Sequence, residues 1–172
     1  MTFEELINAK KIHLGYGSIF ETDPPPLGPY SFDKIRGMML GLAIGDALGN
    51  TSESMLPSNR YERYGEIRDY MPNRHAGGQR IGLPSDDTQL AFWTLEHLLE
   101  VGGLDPDKLA ERFTRERIFG IGSTVRGFLK NYKAGMPWYE AGPRSAGNGA
   151  LMRIAPVYYR RSESRPKQAV RK

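Results

Sequence analysis

The chain has 172 residues, no cysteine and a hydrophobic fraction of 39%, which fits one folded domain and excludes disulfides, thiolate metal sites and a cysteine nucleophile. We find no secretion signal and no apolar run near the roughly 20 residues of a membrane span, so we expect a cytoplasmic protein without membrane contact. The formal charge of +4 comes from residues 160–172, where six Arg and Lys against one Glu give +5 and leave residues 1–159 at −1. We expect this basic tail to be solvated, with nucleic-acid binding as the weaker alternative.

The first 30 residues end in the proline-rich stretch Asp23–Pro29. Repeated proline removes backbone donors and prevents a continuing helix, so residues 1–30 are predicted to be an N-terminal extension or strap. Ser31 can then cap a helix. Its apolar residues recur at helical spacing and predict a buried face made of Phe32, Ile35, Met39, Leu42 and Ala43.

The same helix carries a row of glycines four residues apart: Gly37, Gly41, Gly45 and Gly49. Each interior glycine costs a helix about 1 kcal/mol relative to alanine, so we expect another backbone to approach this row closely. Asp46 lies near the end of the helix, where it can serve as a helix cap, join a salt bridge or belong to a site.

Residues 54–83 are polar and turn-rich and predict a long loop at the rim of a site. A second helix begins at Pro84-Ser85 and ends at Gly102-Gly103, and we expect it to be buried on most sides. Its apolar residues are Leu90, Phe92, Trp93, Leu95, Leu98 and Leu99.

Two more helices are predicted from their start signals. Asp105-Pro106 begins the third, with Leu109 and Phe113 facing inward, and Ser123 begins the fourth, which stops at Gly135. No run of alternating apolar and polar residues occurs, so the fold is predicted to be all-α.

Ser85-Asp86-Asp87 places one hydroxyl and two carboxylates at the start of a helix. Serine and aspartate favour this position because they cap free N–H groups and complement the helix dipole. Two adjacent carboxylates also repel each other, and Mg²⁺ or Mn²⁺ would relieve that repulsion. Spacing alone leaves both interpretations open.

The segment Ser145–Pro156 is rich in glycine and small residues. Such a segment lets a ligand touch the backbone, and free N–H groups before a short helix can hold a phosphate. A simple glycine turn explains Gly147 and Gly149 equally well. Arg153 is predicted to brace the loop, and the three histidines show no ligand spacing.

Together these segments resemble the ADP-ribosylglycohydrolase family over residues 32–157. Three blocks carry the resemblance: Arg36-Gly37 through Gly45-Asp46-Ala47-Leu48-Gly49, then Ser85-Asp86-Asp87-Thr88-Gln89, then Gly147-Asn148-Gly149 through Met152-Arg153 and Ala155-Pro156. The resemblance implies an orthogonal all-α domain. It also implies a metal-dependent hydrolase that removes ADP-ribose from a modified protein or from an ADP-ribose-containing small molecule.

The resemblance also implies the site residues. The family's Thr/Ser-Asp-Asp triplet ligates a binuclear Mg²⁺ or Mn²⁺ centre, which makes Ser85, Asp86 and Asp87 the expected metal ligands. Glu53 stands where the family has an acidic residue beside the metals, and we expect Glu53 and Asp86 to be catalytic. The residues expected to bind ADP-ribose are Gly122, Ser123, Ser145, Gly147, Asn148 and Gly149.

The family's second acidic block, of the Asp-x-Asp-Thr type, has no counterpart in this sequence. Residues 31–159 are therefore expected to form a partial, apparently truncated domain with half a metal centre, and the activity of the chain alone is in question. We expect self-association or a complementing C-terminal half. The alternative is a non-catalytic module that binds ADP-ribose or a protein partner.

Overall fold

A computed structural model describes residues 3–12 and 31–157, so the proline-rich stretch and the basic tail lie outside the described residues. The described α-helices are α1 (Phe3–Asn8), α2 (Phe32–Gly49), α3 (Pro57–Tyr64), α4 (Asp86–Val101), α5 (Pro106–Phe113), α6 (Ser123–Lys133) and α7 (Trp138–Ala141). Short 3-10 helices span Asn50–Ser52, Arg74–Ala76 and Leu151–Arg153. Within these ranges the chain forms no strand, only an isolated bridge between Pro72 and Arg80. The all-α prediction is confirmed.

Helix α4 is the centre of the packing, because it contacts α2, α5 and the 3-10 helix Leu151–Arg153. The buried core consists of Leu90 from α4, Phe113 from α5 and Ile118. The partly buried side chains around it are Trp93, Leu109, Ile121, Val125, Leu129 and Met152. Burial of this apolar surface is the main force that holds α4 in place.

The predicted helix ends agree with the structure. The Ser31 hydroxyl accepts the Lys34 N–H at 3.3 Å, and the Asp105 carboxylate accepts the N–H groups of Asp107 and Lys108. Gly102 ends α4 with a left-handed φ of 78°. These caps satisfy backbone groups that have no partner inside the helix.

The prediction of a buried face on α2 is largely wrong. Met39 is buried, but Phe32 is 74% exposed and Ile35, Leu42 and Ala43 are only partly covered. The row of four glycines also meets no close backbone, since nothing described lies within 4 Å of a Cβ added at any of them. Helix α2 packs against α4, and the glycine row lies where no described neighbour comes close.

Residues 54–83 contain more structure than the predicted loop. Pro57 takes the first position of α3, where its missing N–H costs nothing, and the Asn73 side chain caps the 3-10 helix Arg74–Ala76. Helix α3 has no buried residue. The sequence pattern missed it because its eight residues include no aliphatic side chain that could mark a buried face.

The remaining differences are at the surface. Leu99, predicted to be buried, is 60% exposed because it lies on the outer side of α4.

Near the N-terminus, Leu6 is 1% exposed and Lys11 forms a salt bridge with Glu140 at 2.6 Å. None of the described helices is long and apolar enough to cross a membrane.

Candidate active site

The acidic end of α4 forms the floor of the candidate site. Ser85 is the N-cap residue, and Asp86 and Asp87 occupy the first two positions of the helix. The Ser85 side chain makes no capping hydrogen bond within its own helix. The capping groups must therefore come from elsewhere in the chain.

Asp46 supplies the cap from helix α2. Its Oδ2 accepts the Ser85 N–H at 2.7 Å, the Thr88 N–H at 3.2 Å and the Thr88 hydroxyl at 2.6 Å. Its Oδ1 accepts the Ser85 hydroxyl at 2.6 Å. Of the roles open to Asp46 in the sequence, the geometry supports the cap, and this cap ties the end of α2 to the start of α4.

Asn50 extends this connection. Its side-chain amide donates to Asp46 Oδ1 at 3.3 Å and to the Leu83 carbonyl at 2.8 Å, while its own oxygen accepts from Asn73 at 3.2 Å. The 73–83 segment is thereby attached to the end of α2. A partly buried network of this kind favours one arrangement because each polar group shielded from water needs its partner.

Asp86 and Asp87 carry unbalanced negative charge. Burial raises the pKa of Asp86, and the carboxylates of Asp87, Glu53 and Asp46 raise it further. Burial and the Asp46 carboxylate likewise raise the pKa of Asp87. Within the described residues none of these four carboxylates forms a salt bridge with Lys or Arg. The acidic end therefore favours a cation or a proton.

Gly120 packs against this acidic end, a contact that the sequence did not predict. It has a left-handed φ of 72°, and an added Cβ would lie 3.0 Å from Ser85 Cβ and 3.2 Å from Asp86 Oδ1. A side chain here would meet both backbone strain and crowding. The Gly120-Ile121-Gly122 pattern was the available signal, but it did not indicate which surface the glycine touches.

A cavity of about 1140 Å³ gathers most of the predicted site residues. Glu53, Asp86 and Asp87 line it together with the predicted ADP-ribose-binding residues Gly122, Ser145, Gly147, Asn148 and Gly149. Trp138 and Phe128 add aromatic surface. Ser85 instead lines a neighbouring cavity of about 70 Å³, which shares Glu53 and Gly120, and Ser123 lines neither.

The loop after α7 borders the same cavity. The Ser145 hydroxyl accepts the Gly147 N–H at 3.1 Å and the Thr124 hydroxyl at 3.0 Å, which joins the loop to α6. The guanidinium of Arg153 stacks over the Phe113 ring at 5.3 Å, and burial lowers its pKa. Arg153 therefore braces the 3-10 helix against the core.

The donor groups at the acidic end suit a hard divalent cation in type and charge. Carboxylate and hydroxyl oxygens are the ligands that Mg²⁺ and Mn²⁺ prefer, and no Lys or Arg in the described part of the chain pairs with these carboxylates. Yet no three His, Cys, Asp or Glu side chains among residues 3–12 and 31–157 converge as a ready metal site. Further ligands would have to come from water, from a substrate or from another polypeptide segment.

Comparisons with known proteins identify the relatives of this chain. Residues 28–172 match the family model described as ADP-ribosylglycohydrolase. An ADP-ribosylarginine hydrolase Tri1 of Serratia proteamaculans is 35% identical over 82% of this chain and 41% of its own length. The ADP-ribosyl-[dinitrogen reductase] glycohydrolase of Rhodospirillum rubrum is 33% identical over 76% of this chain and 45% of its own length. The chain thus spans about two fifths of the length of the curated relatives it matches.

Proposed function

Because the chain belongs to the ADP-ribosylglycohydrolase family, we propose that it binds an ADP-ribosyl group and contributes to hydrolysis of the bond joining it to a protein side chain. One observation carries the proposal: a single cavity brings the acidic residues Glu53, Asp86 and Asp87 together with the glycine-rich loop at 147–149. Acidic groups suit the reacting ribose, and a glycine-rich loop whose backbone a ligand can approach suits a diphosphate.

The reaction replaces the glycosidic bond with a bond to water. The oxygen of water bonds to C1″ of the distal ribose, the bond from C1″ to the side-chain nitrogen or oxygen breaks, and the leaving group takes up a proton. Glu53 is exposed at the edge of the acidic end and is proposed to orient the water and accept its proton. Asp86 is proposed to hold the ribose hydroxyls.

A divalent cation is the proposed cofactor, held by Ser85, Asp86 and Asp87. When bound, Mg²⁺ or Mn²⁺ would offset the carboxylate charges and lower the pKa of a bound water. Two structural features support a cation here: the raised pKa values of both aspartates and, among the described residues, the lack of a salt bridge from Lys or Arg to either of them. Ser85 can contribute only its oxygen lone pairs, because its hydroxyl hydrogen is directed at Asp46.

The glycine-rich part of the cavity lining is proposed to bind the ADP-ribose. Gly122, Gly147, Asn148 and Gly149 are exposed residues that line the cavity, so a ligand can approach their backbones closely. Ser145 is proposed mainly to shape this loop, since its hydroxyl already accepts two hydrogen bonds. Ser123 lines neither cavity, so we propose that it contributes to ADP-ribose binding as the first residue of α6, next to Gly122.

The proposed substrate is an ADP-ribosylated protein, with arginine as the first linkage to test, because two relatives are named for hydrolysing ADP-ribosylarginine. Residues 31–159 are proposed to carry the binding unit, with residues 1–30 and 160–172 flanking it. We also propose that another copy, or a polypeptide supplying a second acidic block, completes the metal ligands.

A second candidate function is binding without catalysis. The observation in its favour is that the described acidic side chains do not converge as a complete metal site. Such a module would keep the glycine-rich wall and the cavity, and it would bind ADP-ribose without releasing it from a protein.

The decisive experiment measures two properties of the purified chain. ADP-ribose release from ADP-ribosylarginine protein is followed with Mg²⁺ or Mn²⁺, and ADP-ribose binding is followed by calorimetry. We expect Asp86→Asn to reduce release at least about 100-fold. Asp33→Asn is the matched control, because Asp33 is an exposed acidic residue in the first turn of α2, away from the cavity.

Each outcome has a distinct meaning. Release that depends on Asp86 but not on Asp33 supports hydrolysis, whereas calorimetric binding without release supports the binding module. If the chain neither binds nor releases ADP-ribose, both proposals are wrong, and salt-sensitive RNA binding would then favour the basic tail as the functional element.

A further inference from the structure

Gln89 joins the first turn of α4 to a distant segment through both ends of its side-chain amide. Its Nε2 donates to the Arg117 carbonyl at 3.0 Å, and its Oε1 accepts the Phe119 N–H at 2.8 Å. A carboxamide supplies a strong donor and a strong acceptor on one uncharged planar group. Gln89 therefore holds the backbone at 117–119 in a fixed position relative to α4.

The segment that Gln89 holds leads directly to Gly120. Gly120 lies against Ser85 and Asp86 so closely that no Cβ fits without a shift, and it is followed by Gly122 on the cavity wall. Two aromatic contacts add support: the Arg117 guanidinium lies 5.2 Å from the Phe119 ring, and the His75 ring lies 6.0 Å from it. The position of Gly120 thus depends on the backbone just before it.

We propose that Gln89 is a positioning residue that sets the gap between Asp86 and the 120–122 wall of the cavity. This inference rests on the proposed function, because it assigns Gln89 to the same site. Asp86 stands three positions before Gln89 on α4, and Gly120 stands one position after Phe119. The two hydrogen bonds of Gln89 therefore tie the backbone at 117–119 to α4 beside the contact of Gly120 with Asp86, and their loss would let Gly120 move away from Asp86.

The test replaces Gln89 without adding charge. Gln89→Met keeps a side chain of similar length but removes both hydrogen bonds. We expect amide hydrogen exchange in residues 117–122 of the metal-free chain to become about tenfold faster. We also expect Mn²⁺ affinity, measured by electron paramagnetic resonance of free Mn²⁺, to fall about tenfold, as for residues that orient metal ligands.

Two further variants separate the causes. Gln79→Met is the matched control, because Gln79 is exposed and hydrogen-bonds to Asn73, Ala76 and Ile81 through its backbone. Both readouts should stay at the wild-type level in this variant. Gln89→Glu keeps the acceptor for Phe119 N–H but directs a carboxylate oxygen at the Arg117 carbonyl. Amide hydrogen exchange in residues 117–122 of this variant should be faster than in the wild type. Gln89→Glu also replaces Gln89→Met as the test if the Met variant does not fold.

The outcomes divide clearly. Unchanged exchange at 117–122 in both Gln89 variants would overturn the inference. Faster exchange with unchanged Mn²⁺ affinity would reduce Gln89 to a packing residue and would also overturn it. If the wild-type chain binds no Mn²⁺, the cation part of the proposed function fails, and the exchange measurement alone then decides whether Gln89 holds the wall.

Discussion

Helix α4 contains two neighbouring regions with different physical character. Its first turn, from the cap Ser85 to Gln89, is polar, and three of its side chains bond to residues far away in the sequence. The following turns, from Leu90 to Leu98, are mostly apolar and carry the core contacts with Phe113. One continuous helix thus connects the candidate site to the core.

The difference shows how a rigid element can hold unfavourable groups. Core burial in the later turns stabilises α4 and offsets the repulsion between Asp86 and Asp87 in the first turn. Functional sites commonly concentrate such locally unfavourable features. Substitutions in the later turns should therefore act on stability, and substitutions in the first turn should act on the site.

The largest expected effect is in the core. Leu90→Ala should lower the free energy of unfolding by about 3 kcal/mol, because Leu90 is fully buried and its truncation leaves a cavity. Leu99→Ala, on the exposed side of the same helix, should change it by less than about 0.5 kcal/mol. Urea denaturation measures both. Similar losses for the two variants would show that the core is misassigned.

The next effect concerns the cap that joins α2 to α4. Asp46→Ala should cost about 2 kcal/mol, because Ser85 and Thr88 both lose their acceptor. Asp46→Asn keeps one acceptor oxygen and should cost less. The same denaturation assay checks the order, and an Asn variant that is as unstable as the Ala variant would indicate that charge, not capping, matters.

Gly120→Ala should destabilise the chain by about 1 kcal/mol through its left-handed φ alone, with a further cost from crowding against Ser85. Gly135→Ala isolates the first contribution, since Gly135 has a φ of 91° and nothing within 4 Å of an added Cβ. Thermal unfolding compares the two. Equal shifts in Tm would mean that Gly120 does not press against the acidic end.

A smaller effect should appear with pH in the later turns. His97 is buried, its Nε2 accepts the Asp105 N–H at 3.0 Å, and burial lowers its pKa. Below about pH 6.5 the unfolded chain binds this proton before the folded chain does, so stability falls by at most about 1.4 kcal/mol per pH unit. Above about pH 6.5 the free energy of unfolding should no longer depend on the protonation of this histidine.

The control for this pH effect is a second histidine. His97→Gln should remove this part of the pH dependence, and His75→Gln, at an exposed site, should leave it intact. Denaturation between pH 5 and 8 measures the difference between each variant and the wild type. A His75→Gln curve that flattens like that of His97→Gln would assign the effect to the wrong histidine.

The smallest expected effect is a gain in stability at the acidic end. The raised pKa of Asp86 means that the folded chain disfavours its charge, so Asp86→Asn should raise the Tm of the metal-free chain by about 1 °C. Asp33→Asn should lower Tm slightly, because it removes only a favourable helix-dipole interaction. A lower Tm for Asp86→Asn would show that its charge is already balanced.

Local signals predicted α4 well because its start at Ser85, its stop at Gly102 and its apolar turns are read from neighbouring residues in the sequence, although the capping carboxylate comes from Asp46 of α2. Helix α3 was missed since it buries nothing, and the glycine row on α2 was misread since a small-residue row does not reveal whether a neighbour faces it. The acidic triplet suggested a site, but its own chemistry left a plain helix cap equally open.

The amino-acid sequence by itself determined the all-α class, the main helix ends and the family, because caps, periodicity and ordered motif blocks are local features of the chain. Only the tertiary structure decided that Asp46 caps α4 from another helix, that Gly120 packs against Asp86 and that Gln89 hydrogen-bonds the backbone of Arg117 and Phe119. Such contacts join residues 28 to 42 positions apart, and their existence depends on how the helices pack rather than on any local propensity.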